Sequence, residues 1–393
     1  MRTQTRTFAI LAGVIFAAGC SEPNTTPTTT GTDEQREPGV NVHGTNDAGA
    51  TVSWTELAVS LTERAPVGVS RMYAYLGMAQ YQAARAAEGR HPERLAVSSA
   101  IGGAAAGVLT SFFPAFADEI AAKLAAQKAA VPPGQYKDFD AATAIGAGVA
   151  AEVLVYAAGD QYGAADPGTP PIGDGYWKWS GGPIARGGYH ARPFFIASGA
   201  DFLPPPPPAF GSPAYLIALN EVRQISDTRT AEQLASAQFW HVQQSPTRDT
   251  PWYNKAVELI RRDRVSDAQA ARIMFTMSAS VYDATIGCFD AKYHYWFIRP
   301  PQADPLITLP LGLPPHPSYP SAHACVSGAH AGALKGFFPG DAAALDAIAT
   351  ESSTSRIYGG IHYRFDSEAG VALGNAVARQ VLQADLDQVN GQP

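Results

Sequence analysis

Small and apolar residues recur at helical spacing through most of the chain, and alternating β-branched runs are scarce. The pattern predicts helices first over "SWTELAVSLTERA", with Ser53 as N-cap, and "SRMYAYLGMAQYQAARAAEG", running from Ser70 to Gly89. It predicts two more over "FADEIAAKLAAQKAA" and "DFDAATAIGAGVAAEVLVYAAG". Residues 164–212 change character. "ADPGTPPIGDGYWKWSGGP" and "FLPPPPPAFGSP" read as long loops rich in Pro, Gly and aromatics. The run Pro204–Pro208 is a stiff polyproline segment, with packing or spacing as its expected role. Helices resume over "SPAYLIALNEVRQIS", "TAEQLASAQFWHV" (capped near Thr230), "YNKAVELIRRD" and "SDAQAARIMFTMSASVYDATIGCFDAKYHYWF". A second proline-rich loop leads to "SAHACVSGAHAGALKGFF", "DAAALDAIATESSTS" and "DSEAGVALGNAVARQVLQADL". The expected fold class is all-α: a large helical bundle with proline-rich loops. The expected division is an N-terminal helical half over 51–210 and a C-terminal half over 211–393.

Composition supports a large core, since 46% of the 393 residues are hydrophobic. Only 16% are charged and the net charge is -7, which argues against non-specific nucleic-acid binding. A local anion site remains compatible with this, because a pocket's field depends on a few nearby groups.

The first residues read as an export signal. Arg2 and Arg6 precede "FAILAGVIFAA", an apolar run too short to span a bilayer. The ending "AAGC" resembles a bacterial lipoprotein cleavage site with Cys20 as the lipidated residue, although Ala17 stands where Leu is commonest. An ordinary secretory signal cut near Ala18 or Gly19 is the other reading. Ser21 would suit the outer membrane, so the expected location is the periplasm or cell surface, with the membrane met through a lipid anchor. Residues 21–50 cannot bury a core and are expected to be a tether. Cys288 and Cys325 remain. In an oxidising compartment they can pair; as buried thiols they would be small hydrophobes, the expectation favoured here.

Cations and histidines concentrate in three segments of the last third. "KYHYWFIRP" carries Lys292 and Arg299, "YPSAH" carries Ser321, Ala322 and His323, and "SRIYGGIHYRFD" carries Ser355, Arg356, His362 and Asp366. Each alone has a bland reading: helix-end cations, a helix cap, a core histidine, a structural ion pair. Together they are what a tetrahedral oxyanion requires. Arginine offers paired donors and lysine a point charge. A serine just before a helix adds a hydroxyl beside backbone N–H groups. One histidine can attack or bind the central atom, and another can move protons. Asp366, four residues after His362, can fix the tautomer of that ring.

These residues resemble the three-part signature of the type-2 phosphatidic acid phosphatase and vanadium haloperoxidase superfamily: K-x6-R-P, then P-S-G-H, then S-R-x5-H-x3-D. Lys292, Arg299 and Pro300 match the first part; Pro320, Ser321 and His323 the second; Ser355, Arg356, His362 and Asp366 the third. Ala322 departs from the family glycine; it keeps the N–H, at a cost only if the site needs positive φ. "RMYAYLGMAQYQAARAA", "DTRTAEQLASAQFW" and "SVYDATIGCFDAKYHYWFIRP" look like the bacterial haloperoxidase branch, as does a length of about two fused helical bundles.

The resemblance implies a bundle of vanadium chloroperoxidase or acid phosphatase type. For a haloperoxidase it implies vanadate coordinated axially by His362 and neutralised by Lys292, Arg299, Ser321, the Ala322 amide and Arg356. Lys292 would also polarise bound peroxide, and His323 would be acid and base. The substrates would be hydrogen peroxide and a halide. Bromide is favoured; His316, seven residues before His323, stands where some bromide-preferring relatives also carry His, and its bland reading is an exposed loop imidazole. For a phosphatase acting on phosphate esters, the same pocket implies a phosphohistidine at His362 and leaving-group protonation by His323. A lapsed, non-catalytic scaffold is a third reading that only Ala322 favours. His330 is expected to be a packed or solvated helix residue, His241 and His294 have no assigned role, and a homodimer is admitted as the assembly.

Overall fold

The computed structural model describes residues 49–89 and 94–389. The export signal, the lipidation at Cys20 and nearly all of the 21–50 tether lie outside the described residues. Thirteen α-helices dominate the described chain, with one two-residue hairpin, so the all-α expectation holds. The first group comprises α1 (Gly49–Arg64), α2 (Val69–Glu88), α3 (Arg94–Phe112), α4 (Ala117–Ala129) and α5 (Tyr136–Ala158). After an irregular stretch come α6 (Pro213–Thr228), α7 (Ala231–Gln243), the strands β1 (Gln244–Ser245) and β2 (Arg248–Asp249), and α8 (Thr250–Arg262). The long α9 (Asp267–Tyr295), the single turn α10 (Pro300–Ala303), α11 (Ala322–Phe337), α12 (Ala342–Tyr358) and α13 (Arg364–Val389) complete the order.

The helix α9 organises the rest. It packs against α2 on one side and against α11 and α13 on the other, and it is buried on every face from Ile273 to Tyr293. Its buried acids hold the loops. The Asp283 carboxylate accepts the backbone N–H groups of Phe194, Phe195 and Ile196, and burial pushes its pKa up to about 7. The polyproline run packs as expected: Pro204 O accepts the Tyr295 hydroxyl and Pro205 O the Tyr319 hydroxyl, both at 2.6 Å.

Three local expectations change. The first helix begins at Gly49, not after Ser53, and so takes in the end of the expected tether. Its first amides are capped from far along the chain: Asp267 accepts Ala50 N–H at 3.3 Å and Thr51 N–H at 2.9 Å. Helix α2 is capped at Gly68 rather than started at Ser70. Helix α3 has no amphipathic signal, because it lies against α2 and α5 and buries most of its length. Its packing needs small residues: a Cβ on Gly146 of α5 would stand 1.9 Å from Ala100 O. Cys288 and Cys325 are both buried free thiols within the main core, as small hydrophobes.

Candidate oxyanion site

The three signature segments meet at the C-terminal end of α9 and the N-terminal end of α11. Helix α9 ends where Trp296 takes a left-handed conformation, and the chain then turns to place Arg299 immediately before α10. The loop over 314–321 crosses to Ser321, the residue before α11. Helix α12 delivers Ser355 and Arg356 in its last turn. Gly360, at φ 74°, reverses the chain so that His362 faces Arg299.

The geometry fixes the state of His362. Its Nδ1 lies 2.8 Å from Asp366 Oδ2, and Arg299 Nη1, which can only donate, lies 3.3 Å from Nε2. The proton is therefore on Nδ1 and the lone pair on Nε2. The same Asp366 oxygen also accepts from Ser318 Oγ at 2.5 Å and Tyr363 N–H at 3.1 Å. Burial raises Asp366 to about 6 against the opposing pull of these donors and of Lys292. Burial, reinforced by Arg299 and Lys292, holds His362 well below the usual imidazole range.

Lys292, Arg299 and Arg356 are fully buried, and Asp366 is the carboxylate that opposes two of them. Burial lowers Lys292 to about 8, Arg299 to about 10 and Arg356 to about 9. Lys292 Nζ spends its three donors on the loop carbonyls of Pro317, Ser318 and Pro320, the first two at 2.9 Å. Arg299 braces the same loop through His316 O at 2.9 Å and ties it to the turn after α12 through Ile361 O at 2.7 Å. Among the described residues Arg356 has no carboxylate partner. Its Nε donates to Ser355 Oγ at 2.9 Å and its Nη2 to Ala237 O at 2.5 Å, while Nη1 has no partner. Ser321 is the N-cap by position only: it makes no capping bond, and its buried Oγ also has no partner. The bland reading of Ser321 as a side-chain helix cap is thus not borne out. Ala322 opens α11 and is not among the residues with positive φ, so its methyl costs the backbone nothing.

A cavity of about 490 Å³ opens here, lined by His241, Ala322, His323, Arg356, Ile361 and His362, with His316 on its wall. Lys292, Arg299 and Ser321 are not among its lining residues. His323 Nε2 lies 3.1 Å from Trp240 O; a carbonyl only accepts, so Nε2 carries the proton and Nδ1 the lone pair. Burial and Arg356 hold this ring well below its ordinary value. His316 Nδ1 lies 3.1 Å from Arg299 Nη2. A larger, more open groove of about 740 Å³, around Trp179 and Asp166, shares Tyr162, Ala185, Gly187 and Pro246 with the cavity rim and lacks the cation cluster.

Sequence reading missed Ser318, His241 and the α7 carbonyls of Ala237 and Trp240. Ser318 lies inside the quoted loop, so its nearness to the signature was the available signal. Most of helix α7 lies within "DTRTAEQLASAQFW", already similar to the haloperoxidase branch, but nothing in that segment marked these two carbonyls or His241 beside it. His330 is a packed residue, as expected, paired with Asp249 at 2.6 Å.

The donor set fits a tetrahedral oxyanion. The buried Arg356 Nη1, without a partner among the described residues, the α11 N-terminus at Ala322 and the His323 and His362 rings line one cavity, with Lys292 and Arg299 adding positive charge behind it. Residues 342–391, spanning α12 and α13, match the family model of the VCPO second helical-bundle domain. The structure is similar to that of the first bacterial vanadium-dependent iodoperoxidase (23% identity, 85% of this chain, 94% of that chain, TM-score 0.65). It is also similar to a bacterial vanadium-dependent chloroperoxidase. The apo form gives 14% identity over 91% of this chain and 97% of that chain, TM-score 0.65. The holo form gives 13% identity over 90% and 95%, TM-score 0.62. No curated protein sequence matches the chain. The chain therefore has the helical-bundle fold of the bacterial vanadium haloperoxidases, and the matched second-bundle domain supports that branch of the superfamily.

Proposed function

We propose that the protein is a vanadate-dependent haloperoxidase that oxidises a halide, bromide in preference, with hydrogen peroxide. The observation that carries the reading is the buried Arg356 guanidinium, without a carboxylate partner and with Nη1 unbonded, at a cavity that also presents His362 and His323. A buried cation left unpaired is costly, and a bound oxyanion relieves that cost. Vanadate, when bound, supplies a Lewis-acidic centre that activates peroxide toward halide.

The chain's own residues do the rest. His362 offers the Nε2 lone pair, held in that tautomer by Asp366. Arg356 and the Ala322 amide present neutralising donors at the cavity, and Arg299 and Ser321 Oγ, which do not line it, are the further donors the reading assigns from behind. Lys292 shapes the loop through three carbonyls and contributes positive potential from behind it. His323, with Nε2–H anchored on Trp240 O, accepts or donates a proton at Nδ1.

A phosphatase reading draws on the same residues, with His362 as nucleophile and His323 as leaving-group acid. The likeness to iodo- and chloroperoxidases along 85% or more of this chain favours the haloperoxidase. The scaffold reading loses its one motive once Ala322 sits at ordinary φ. We further infer that the protein is exported and lipid-anchored through Cys20.

Loading the purified protein with orthovanadate and assaying bromination of a phenol reporter, beside phosphate release without vanadate, tests the reading. Bromination lost in His362→Ala is the expected result. Phosphate release alone, inhibited by vanadate, would sink it.

A further inference from the structure

His323 can exchange protons only on its Nδ1 side, because Nε2 is committed to Trp240 O. That side belongs to a cavity whose other imidazoles are tied down. His362 is buried and held between Asp366 and Arg299, and His316 is held at Nδ1 by Arg299. Each turnover of an acid and base in such a place requires a path for the proton to bulk water.

His241 answers that requirement. It follows Trp240 on α7, lines the same cavity as His323 and Arg356, and is exposed to solvent. The α7 end that carries it is clamped onto the site, since Arg356 Nη2 donates to Ala237 O and His323 Nε2 to Trp240 O. The groups around the ring come from three elements. They are Arg356 of α12 and His323 of α11, each in electrostatic contact with His241, while Asp249 of β2, paired with His330 of α11, lines the same cavity. Burial and Arg356 hold the His241 imidazole below its ordinary value, so its neutral form is favoured and a proton it receives is readily passed on to solvent.

We propose that His241 is the proton-relay residue of this cavity. It takes the proton that His323 has accepted at Nδ1 and releases it to solvent, and runs in reverse when His323 must donate. The transfer moves one proton from the His323 ring to a ring nitrogen of His241, directly or across cavity water, and changes no other bond. The proposal rests on the oxyanion-pocket reading and holds for either chemistry of that pocket.

The test uses the full chain with sulfate, a tetrahedral dianion that does not titrate in this range, as the probe. Calorimetry in buffers of different ionisation heat, at about pH 6 and about pH 8, brackets the ordinary imidazole value of about 6.5. An anion beside Arg356 removes the repulsion on His241, so wild type takes up protons on binding near pH 6. H241Q is expected to take up fewer, while its affinity near pH 8 stays within about twofold of wild type. Turnover of H241A is expected to fall on the order of tenfold or more and to recover with added imidazole, as for a lost proton carrier. Equal proton uptake in H241Q, or turnover untouched by H241A, overturns the relay and leaves the pocket standing. A wild-type chain that binds no sulfate overturns the pocket reading, and the relay with it.

Discussion

Two buried imidazole–carboxylate pairs flank α11, and their chemistry is the same to first order. His362–Asp366 closes at 2.8 Å and His330–Asp249 at 2.6 Å. Their surroundings differ. His330 is stacked 5.1 Å from the Trp252 ring with an edge contact to Tyr253, and its buried Nδ1 has no partner among the described residues. His362 is surrounded by Arg299, Lys292 and His316, and it lines a cavity. A dyad of this kind sets a tautomer in both places. What makes one a candidate for chemistry is uncompensated positive charge and an opening to solvent, and both are supplied by other segments of the chain.

The comparison breaks if the two pairs respond alike to mutation. The largest expected effect is at the charged pair: His362→Ala should abolish bromination and leave the far-UV circular dichroism unchanged. Arg356→Met, removing an anion donor, should lower kcat on the order of 10²–10³-fold, read in the same assay. His330→Ala should do the reverse. Breaking a buried pair costs roughly 3–5 kcal/mol, so urea unfolding should show a large loss of stability while the vanadate-loaded folded enzyme keeps most of its turnover.

The pH response sharpens the contrast. His316, His323 and His362 are all held well below the ordinary imidazole value by burial and neighbouring cations. Below about pH 6.5 these three rings bind protons in the unfolded chain that they refuse in the folded one, so their contribution to stability is lost as pH falls from there. A bound oxyanion raises the folded values and moves that loss to lower pH. Urea midpoints between about pH 7 and about pH 5, with and without sulfate, measure it. Asp283 and Asp366, raised by burial to about 7 and about 6, act in the opposite sense in the same window, so the diagnostic is the difference sulfate makes; identical profiles with and without sulfate contradict the assignment. The smallest effect is expected at Ala322→Gly, with activity within about twofold and a stability cost of about 0.5–1 kcal/mol for glycine within a helix.

Much of the site was legible because its chemistry is local. His362 and Asp366 stand one helical turn apart, and Ser321, Ala322 and His323 stand at one helix start. Such pairs meet whatever the rest of the chain does. Lys292 and Arg299 were legible as types and as a spacing, but their contacts were not. Lys292 turns its three donors to loop carbonyls supplied 25 to 28 residues later. The helices with one apolar stripe were legible too. Helix α3 was not, since burial on most sides leaves no polar face to mark its period.

The sequence by itself determined an all-helical chain, a set of oxyanion-binding residue types in order, and the tautomer partner of His362. Tertiary structure alone decided that Arg356 is left without a carboxylate, that Trp240 O fixes the proton of His323, and that His241 stands at the cavity with them. The physical reason is range. Periodicity and capping act within a few residues, whereas burial, unpaired charge and access to water are properties of surfaces brought together from α7, α9, α11 and α12, which no local pattern encodes.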